Sequence, residues 1–341
     1  MGYLSRIKTV SRTIRIHMKS KSKQNQGGFS TPDFLRSDLE TVRRLIAETL
    51  TTGHPFLDAG LKRFIDYPGK MLRPTLLLLS AHMGEFDSIA AHRLAAAVEI
   101  LHIATLIHDD IIDNSPLRRG TTSIHVTEGL RQAVLTGDFL FTRCFRLTAD
   151  QASPEVAKTL ATVVGRICES EIDHPSSSDI SLRAYLRRTA GKTALLFLMS
   201  MYMGAKESGC DEGTCSTMRK IGYGIGMGFQ IIDDILDFTG SEENLGKPTG
   251  NDIAEGVMTL PMILASRTTG EIILPYRGRW MRNRNAEKIR QKVTESGGLD
   301  MARDVARRYT ETALADISTL PDGPAKTAMM ELTNDLLGRN Y

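Results

Sequence analysis

Residues 106–120 read LIHDDIIDNSPLRRG, where three aspartates interrupt an apolar run. The same arrangement returns in residues 232–238, which read IDDILDF. A charge is expensive to bury unless it is paired or binds a metal. One such motif on its own is usually an acidic patch in solvent, but two copies in apolar surroundings favour a cation-binding site. These two stretches decide how the rest of the chain is interpreted.

The spacing of the aspartates predicts shared helical faces, because side chains four residues apart lie on one side of a helix. The six carboxylates belong to Asp109, Asp110, Asp113, Asp233, Asp234 and Asp237. The first and third of each trio should point the same way, and all six converge if the two helices face each other. Mg²⁺ takes carboxylate and phosphate oxygens as ligands and would relieve their repulsion. The pair of motifs therefore predicts a polyanionic substrate that magnesium bridges to the protein.

Helical periodicity extends over most of the chain from about residue 32 onward. Helices are predicted at residues 75–83, 90–113, 128–149, 154–172, 181–205, 213–238, 253–266, 284–295, 298–316 and 324–338. Proline and glycine cluster between these segments, and no proline-rich linker divides the chain. The pattern predicts one all-α domain, a single large helical bundle, over residues 31–341.

Composition excludes several classes of protein. The chain has 341 residues, 41% of them hydrophobic, and a formal net charge of +3, which is typical of a soluble globular protein rather than a nucleic-acid binder. No uninterrupted apolar run is long enough to suggest a membrane span. The four cysteines form no CxxC pair, so neither a disulfide framework nor a zinc site is indicated, and a reducing compartment fits best.

The first 30 residues differ from the rest, because they carry seven lysines and arginines and no acidic residue. Leu4, Ile7, Val10 and Ile14 recur there at helical spacing. Three interpretations remain open: a flexible leader, a basic helix on a membrane surface, or an organelle transit peptide. The expected location is the cytoplasm, with peripheral membrane contact or the mitochondrial matrix as alternatives.

Cationic and hydroxyl side chains accompany the acidic motifs in loops and at helix ends. They are Lys70, Arg73, Arg118, Arg119, Lys192, Thr193 and Lys247. Arginine binds phosphate through its two-pronged guanidinium and lysine through a point charge. Lys70 and Arg73 also follow a Pro–Gly break at a predicted helix start, where backbone N–H groups favour anions. Each residue alone would be a surface cation, but together they predict two diphosphate sites, one bound through metal and one bound directly.

This combination resembles the trans-isoprenyl (polyprenyl) diphosphate synthases from about Asp38 to the C-terminus. The matching stretches, in order, are GKMLRP, HDDIIDNSPLRRG, GDFL, GKT, FQIIDDILD and GKPTGNDIAEG. The resemblance implies an all-α bundle around a central cavity, usually as a homodimer, with two or three Mg²⁺ ions. It implies transfer of the allylic group from an allylic diphosphate onto isopentenyl diphosphate, with release of the diphosphate.

The resemblance also implies a role for each residue. All six aspartates would hold Mg²⁺ on the allylic diphosphate. Further allylic contacts would be Arg118, Lys192, Thr193, Gln230 and Lys247. The isopentenyl diphosphate site would comprise Lys70, Arg73, His102 and Arg119. The allylic C–O bond would ionise, the second substrate would attack the cation, and the released diphosphate would take the proton, so no side-chain nucleophile is needed.

Product length depends on a tunnel for the growing hydrocarbon tail. The resemblance implies that Leu101, Ala104 and Thr105 line it below the first motif. Ala104 is small, and no Phe, Tyr or Trp occurs from residue 89 to 113. We therefore expect a long-chain product, such as a quinone side chain. The alternative is a short-chain farnesyl or geranylgeranyl synthase, with a plug deeper in the protein at Phe139, Phe141 or Phe145.

The sequence offers weaker support for two other classes of protein. The pairs Glu99–His102 and Glu171–His174 have the E-x-x-H spacing of di-iron bundle oxidoreductases. That reading leaves both aspartate motifs and the basic residues without a role. A regulatory subunit of a heteromer is the second class, although such subunits typically lose the aspartates. A need for a partner subunit remains open.

Overall fold

A computed structural model describes residues 31–118, 121–172, 181–239, 252–253, 257–269 and 279–337. The leader, Arg119 and Lys247 lie outside these residues, so their predicted roles stay predictions.

The described residues are almost entirely helical, which confirms the predicted all-α fold. After a short 3₁₀ turn the helices are α1 (Arg36–Leu50), α2 (Pro55–Asp66), α3 (Leu72–Ala81), α4 (Ser88–Ile112), α5 (Ile124–Thr127), α6 (Leu130–Ala149), α7 (Pro154–Ile172), α8 (Leu182–Thr189), α9 (Leu195–Glu207), α10 (Glu212–Thr239), α11 (Leu260–Thr269), α12 (Arg279–Glu295), α13 (Gly298–Ser318) and α14 (Pro324–Leu337).

Two segments differ from the prediction. A two-residue antiparallel ladder joins β1 (Leu117–Arg118) to β2 (Thr121–Thr122), just after the first aspartate motif. The helix predicted at residues 253–266 is not continuous: residues 252–253 are helical, residues 257–259 are not, and a helix begins at Leu260. Pro261 follows at once, and proline is tolerated in the first turn of a helix but not in its interior.

The bundle is organised around α4 and α10, the helices that carry the two motifs. α4 packs against α1, α3, α6 and α9, while α10 packs against α9 and α13. By length and composition α4 could cross a membrane, but most of it is buried in the bundle. One hydrophobic cluster surrounds α4, and a separate cluster surrounds the C-terminal half of α10 together with α11 and α13. Each motif is thus anchored by its own part of the core.

Candidate active site

The first aspartate motif occupies the last turn of α4. Asn114 adopts a left-handed conformation with φ 48°, which asparagine tolerates better than most residues. Its N–H donates to the carbonyl of Ile111, and the N–H of Ser115 donates to the carbonyl of Asp110. This pair of hydrogen bonds is the Schellman ending of a helix. The helix therefore stops directly after the motif, and the chain turns into the β1–β2 hairpin.

The three carboxylates of this motif face two ways. Asp109 and Asp113 lie on one side, with their Oδ2 atoms 3.7 and 3.5 Å from the Nζ of Lys192. Asp110 turns away and is buried, and its Oδ1 accepts a 2.7 Å hydrogen bond from the Nε of Arg118. The predicted shared face of the first and third aspartates is therefore what the structure shows. Asp110 is held by its own cation.

The second motif lies near the end of α10, and its three aspartates all line one polar cavity. Asp234 is buried and accepts two hydrogen bonds, from the hydroxyl of Tyr185 at 2.7 Å and from the Nε2 of Gln230 at 2.9 Å. Asp237 accepts a hydrogen bond from the backbone N–H of Asp252. The donors that hold this motif are thus chiefly neutral.

Lys192 and Thr193 lie in a π-helical turn (Ala190–Ala194) between α8 and α9. Such turns insert an extra residue into a helix and are frequent at functional sites. Gly191 is needed here, because a Cβ at that position would lie 2.3 Å from the Cβ of Ser170 on α7. The hydroxyl of Thr193 donates to the Oε1 of Gln230 at 2.7 Å, which links the turn to α10.

The polar cavity has a volume of about 140 Å³. Its lining residues are Asp113, Glu171, Tyr185, Arg188, Thr189, Lys192, Gln230, Asp233, Asp234, Asp237, Asp252, Val257 and Thr259. One carboxylate of the first motif and all three of the second therefore meet here. Within the described ranges, no three His, Cys, Asp or Glu side chains are grouped closely enough to hold a metal by themselves. The predicted convergence of all six carboxylates is incomplete, because Arg118 holds Asp110 elsewhere and the Lys192 ammonium lies beside Asp109 and Asp113.

An apolar cavity of about 310 Å³ borders the first motif at Asp109. Its lining residues are Leu101, Thr105, His108, Asp109, Ile112, Phe141, Val164, Ile167, Cys168, Glu171 and Ile172.

The structure separates the predicted tunnel residues into two groups. Leu101 and Thr105 line the apolar cavity, but Ala104 does not and is fully buried. Because each helical residue turns about 100°, Ala104 lies roughly 60° round the helix from Leu101. Of the candidate plugs, Phe141 lines the cavity, and its ring centroid lies 5.5 Å from that of His108. Phe145 contacts Phe141 from outside the lining.

The predicted direct diphosphate site lies at the start of α3. Gly69 and Met71 both adopt positive φ, at 73° and 53°, on either side of Lys70. Such strain in a non-glycine residue persists where the surroundings require it, often at functional sites. The guanidinium of Arg73 lies 4.6 Å from the ring centroid of Phe197. His102 is half-buried on α4, and these three basic residues line neither of the two cavities described above.

Comparison with known proteins decides the family. The family described as Polyprenyl synthetase matches residues 54–294. The chain belongs to this family. Heptaprenyl diphosphate synthase component 2 of Bacillus subtilis is 31% identical over 312 residues, covering 90% of each chain. The probable mitochondrial hexaprenyl pyrophosphate synthase of Neurospora crassa is 31% identical, covering 94% of this chain and 85% of its own. This polyprenyl synthase is therefore a prenyltransferase.

Solved structures of polyprenyl synthases share the fold. Heptaprenyl diphosphate synthase from Staphylococcus aureus matches with a TM-score of 0.85 and 32% identity, covering 90% of this chain and 99% of its own. A Caulobacter crescentus polyprenyl synthase complexed with calcium and isoprenyl diphosphate matches with a TM-score of 0.85, 33% identity and coverage of 93% and 99%. Geranylgeranyl pyrophosphate synthase from Lactobacillus brevis matches with a TM-score of 0.83, 33% identity and coverage of 90% and 98%.

The chemistry of the two aspartate motifs fits a divalent cation. Burial raises the pKa of Asp109 to about 6, with Glu171 and Asp113 adding to the rise and Lys192 opposing it. Burial also raises the pKa of Asp234 to about 6, against the hydrogen bonds that it accepts. Both shifts reflect the cost of holding negative charge here, and a cation would reduce that cost. Polyprenyl synthases use divalent metal ions.

Sequence reasoning missed several residues that line the polar cavity of this polyprenyl synthase. Among them are Glu171, Tyr185, Arg188, Thr189 and Thr259. The Nη2 of Arg188 donates to the carbonyl of Met258 at 3.0 Å, which fixes the guanidinium at the cavity wall. Tyr185 and Arg188 lie three residues apart, just upstream of the GKT stretch, so helical spacing could have placed them on one face. No local signal marks Thr259.

Proposed function

We propose that this chain elongates an allylic diphosphate with successive isopentenyl diphosphates to an all-trans, long-chain polyprenyl diphosphate, with Mg²⁺ as cofactor. The observation that carries the proposal is the pair of adjoining cavities. One is lined by carboxylates and cations, the other by aliphatic and aromatic side chains, and Glu171 borders both. A substrate with a charged head and a hydrocarbon tail matches this arrangement.

The allylic diphosphate would lie in the polar cavity. The aspartates of both motifs would hold two or three Mg²⁺ ions on it, and Mg²⁺ supplies Lewis acidity that neutralises the departing diphosphate. Lys192 and Thr193 contribute donors from the π turn, and Gln230 is oriented by both Thr193 and Asp234. Lys247 belongs to the same proposed set.

The tail would lie in the apolar cavity against aliphatic side chains, and the bound tail would displace water from them. Water must be excluded because it would quench the allylic cation. When the C–O bond breaks, its electron pair leaves with the diphosphate oxygen. The double bond of isopentenyl diphosphate then forms the new C–C bond, and the released diphosphate accepts the proton.

Isopentenyl diphosphate would bind at the start of α3. Lys70, Arg73, His102 and Arg119 form the proposed set. The strained backbone of Met71, next to Lys70, and the packing of Arg73 on Phe197 support a fixed arrangement there. A direct site of this kind needs no metal, because arginine and lysine pair with phosphate oxygens themselves.

A long-chain product is favoured by the names of the curated relatives, which include heptaprenyl and hexaprenyl synthases. The leading alternative is a short-chain product. It is favoured by Phe141, which lines the apolar cavity, and by the similarity to a geranylgeranyl synthase structure.

A second copy of the chain is the proposed partner. Apolar side chains are exposed along α6, namely Val134, Leu135 and Phe145, and Ile172 is exposed at the end of α7. Burying such a surface against another copy would stabilise a homodimer. The Bacillus relative is named a component, so a heteromer is the alternative. The location proposed is cytoplasmic, with membrane contact or, since the Neurospora relative is mitochondrial, the mitochondrial matrix as alternatives.

A product assay tests the proposal. Purified protein is incubated with farnesyl diphosphate, labelled isopentenyl diphosphate and Mg²⁺, and the dephosphorylated products are separated by length. A ladder of long products is expected. A stop after one added unit would keep the chemistry and replace the long-chain product by the short-chain alternative. No incorporation by folded protein, alone or with a candidate partner subunit, would overturn the proposal.

A further inference from the structure

One carboxylate at the site belongs to neither aspartate motif. Glu171 lies one residue before the end of α7, and 13% of its side chain is exposed. Its buried Oε1 accepts no hydrogen bond from any described residue, and the Nζ of Lys192 lies 4.0 Å away. A buried carboxylate oxygen without a hydrogen bond is costly, so a protein that keeps one needs a reason to do so.

The position of Glu171 suggests the reason. Among the described residues, it is the one that lines both the polar and the apolar cavity. Asp109 borders the apolar cavity and Asp113 the polar one, and the Lys192 ammonium lies close to both. Glu171 therefore marks the boundary where a molecule would pass from one cavity into the other.

An allylic diphosphate that lies in both cavities must cross this boundary at one place. Its diphosphate and its hydrocarbon tail are joined at a single carbon, C1. When the C1–O bond breaks, the electron pair leaves with the diphosphate and positive charge spreads over C1 and C3. A fixed negative charge in a water-poor site stabilises such a cation far more than it would in bulk water.

We propose that Glu171 is a further catalytic residue of this prenyltransferase, whose carboxylate stabilises the positive charge that develops on the allylic carbons. It forms no bond and takes no proton. The assignment rests on the proposed function and deepens it. It also explains why Oε1 accepts no hydrogen bond from any described residue. A carboxylate that already accepts several hydrogen bonds would stabilise a nearby cation less.

Binding of a charged analogue tests this role directly. The two probes are an allylic diphosphate analogue with a protonated nitrogen in place of C3, and farnesyl thiodiphosphate, which is neutral at that position. For Glu171→Gln, the Kd of the ammonium analogue should rise by about tenfold or more, whereas the Kd of the thiodiphosphate stays the same. The variant's kcat should fall by about tenfold to a hundredfold, with little change in the KM for farnesyl diphosphate.

Two further variants serve as controls. Glu169→Gln removes the same charge from an exposed position two residues away and should leave both Kd values unchanged. Glu171→Asp keeps the charge and should retain part of the preference for the ammonium analogue. Circular dichroism confirms that each variant is folded.

Other outcomes would overturn the assignment. Equal weakening of both analogues would mean that Glu171 merely positions Lys192 for the diphosphate. Unchanged binding of both would mean that its charge does not act on the allylic carbons. A wild-type chain that binds neither analogue and incorporates no isopentenyl diphosphate would instead overturn the proposed function, and this assignment with it.

Discussion

The two aspartate motifs differ by one residue in five, DDIID against DDILD, yet their surroundings are different. The first motif is balanced by cations, because Lys192 lies beside two of its carboxylates and Arg118 holds the third. In the second motif, Asp234 is held by the neutral donors Tyr185 and Gln230. The comparison teaches that a repeated motif specifies ligand chemistry, while its neighbours decide how much negative charge remains for a metal.

Removing one carboxylate from either motif should have the largest effect. Asp109→Ala and Asp233→Ala should each lower turnover by about a thousandfold or more, since each removes a proposed ligand of the ions that neutralise the leaving diphosphate. The melting temperature should stay near that of the wild type, because each change also relieves like-charge repulsion. Asp335→Ala, on the exposed side of α14, is the matched control. Near-normal turnover in both motif variants would contradict the proposal that metal ions bridge the aspartates to the substrate.

Removing the hydrogen-bond partner of one carboxylate in each motif should distinguish stabilisation by a cation from stabilisation by a neutral donor. Arg118→Met leaves Asp110 buried without its cation and should lower the free energy of unfolding by about 3 kcal/mol. Tyr185→Phe removes one neutral hydrogen bond from Asp234 and should lower it by about 1 kcal/mol. Urea unfolding of both variants measures the difference. Equal losses would show that the charge of Arg118 adds nothing beyond a hydrogen bond.

The pH dependence of magnesium binding should report both motifs. Asp109 and Asp234 have pKa values raised to about 6, so the folded protein binds extra protons below that pH. Their contribution to stability is therefore greatest in acid and is lost as pH rises through 6. Mg²⁺ competes with these protons, so the Kd for Mg²⁺ should rise by up to about tenfold for each pH unit below pH 6.

Thermal shifts with Mg²⁺ and with EDTA at pH 5.0, 6.0 and 7.5 measure this effect. The stabilisation by Mg²⁺ should grow with pH, and either Asp109→Asn or Asp234→Asn should flatten the trend. A stabilisation independent of pH in the wild type would contradict it.

The smallest effect on turnover is expected from changes in the apolar cavity, which should alter product length instead. This cavity borders the first motif but not the second. Thr105→Phe should fill the cavity and shorten the product. Ala104→Phe should shorten it less and destabilise the protein by about 1–3 kcal/mol, since Ala104 is fully buried. Chromatography of dephosphorylated products compares the two. A shorter product from Ala104→Phe but not from Thr105→Phe would mean that the growing tail lies along the Ala104 side of α4.

Most of the helices were predictable because their apolar residues recur at helical spacing, and both motifs fall where the pattern places them. The shared face of Asp109 and Asp113 follows from the same rule. The rotation of Asp110 toward Arg118 could not be predicted in the same way, because it depends on a hairpin of two-residue strands that has no hydrophobic pattern.

The roles of long-range neighbours were also out of reach of local patterns. Tyr185 and Asp234 are 49 positions apart, and their hydrogen bond depends on how α8 packs beside α10. Glu171 was considered only as part of an E-x-x-H pair. Its place at the border of two cavities follows from where α7 ends.

The π turn between α8 and α9 makes the proposed diphosphate contacts depend on the number of residues in one helix. Deleting a single residue there would let α8 and α9 join into one regular α-helix. The spacing of apolar residues alone would not show that this change is harmful. Everything on one side of the deletion would then rotate by about 100° relative to the other side. Either the core of α9 or the pair Lys192 and Thr193 would lose its present direction. Alignments of relatives with a gap at residues 190–194 would therefore mark chains in which the proposed diphosphate contacts of Lys192 and Thr193 are arranged differently.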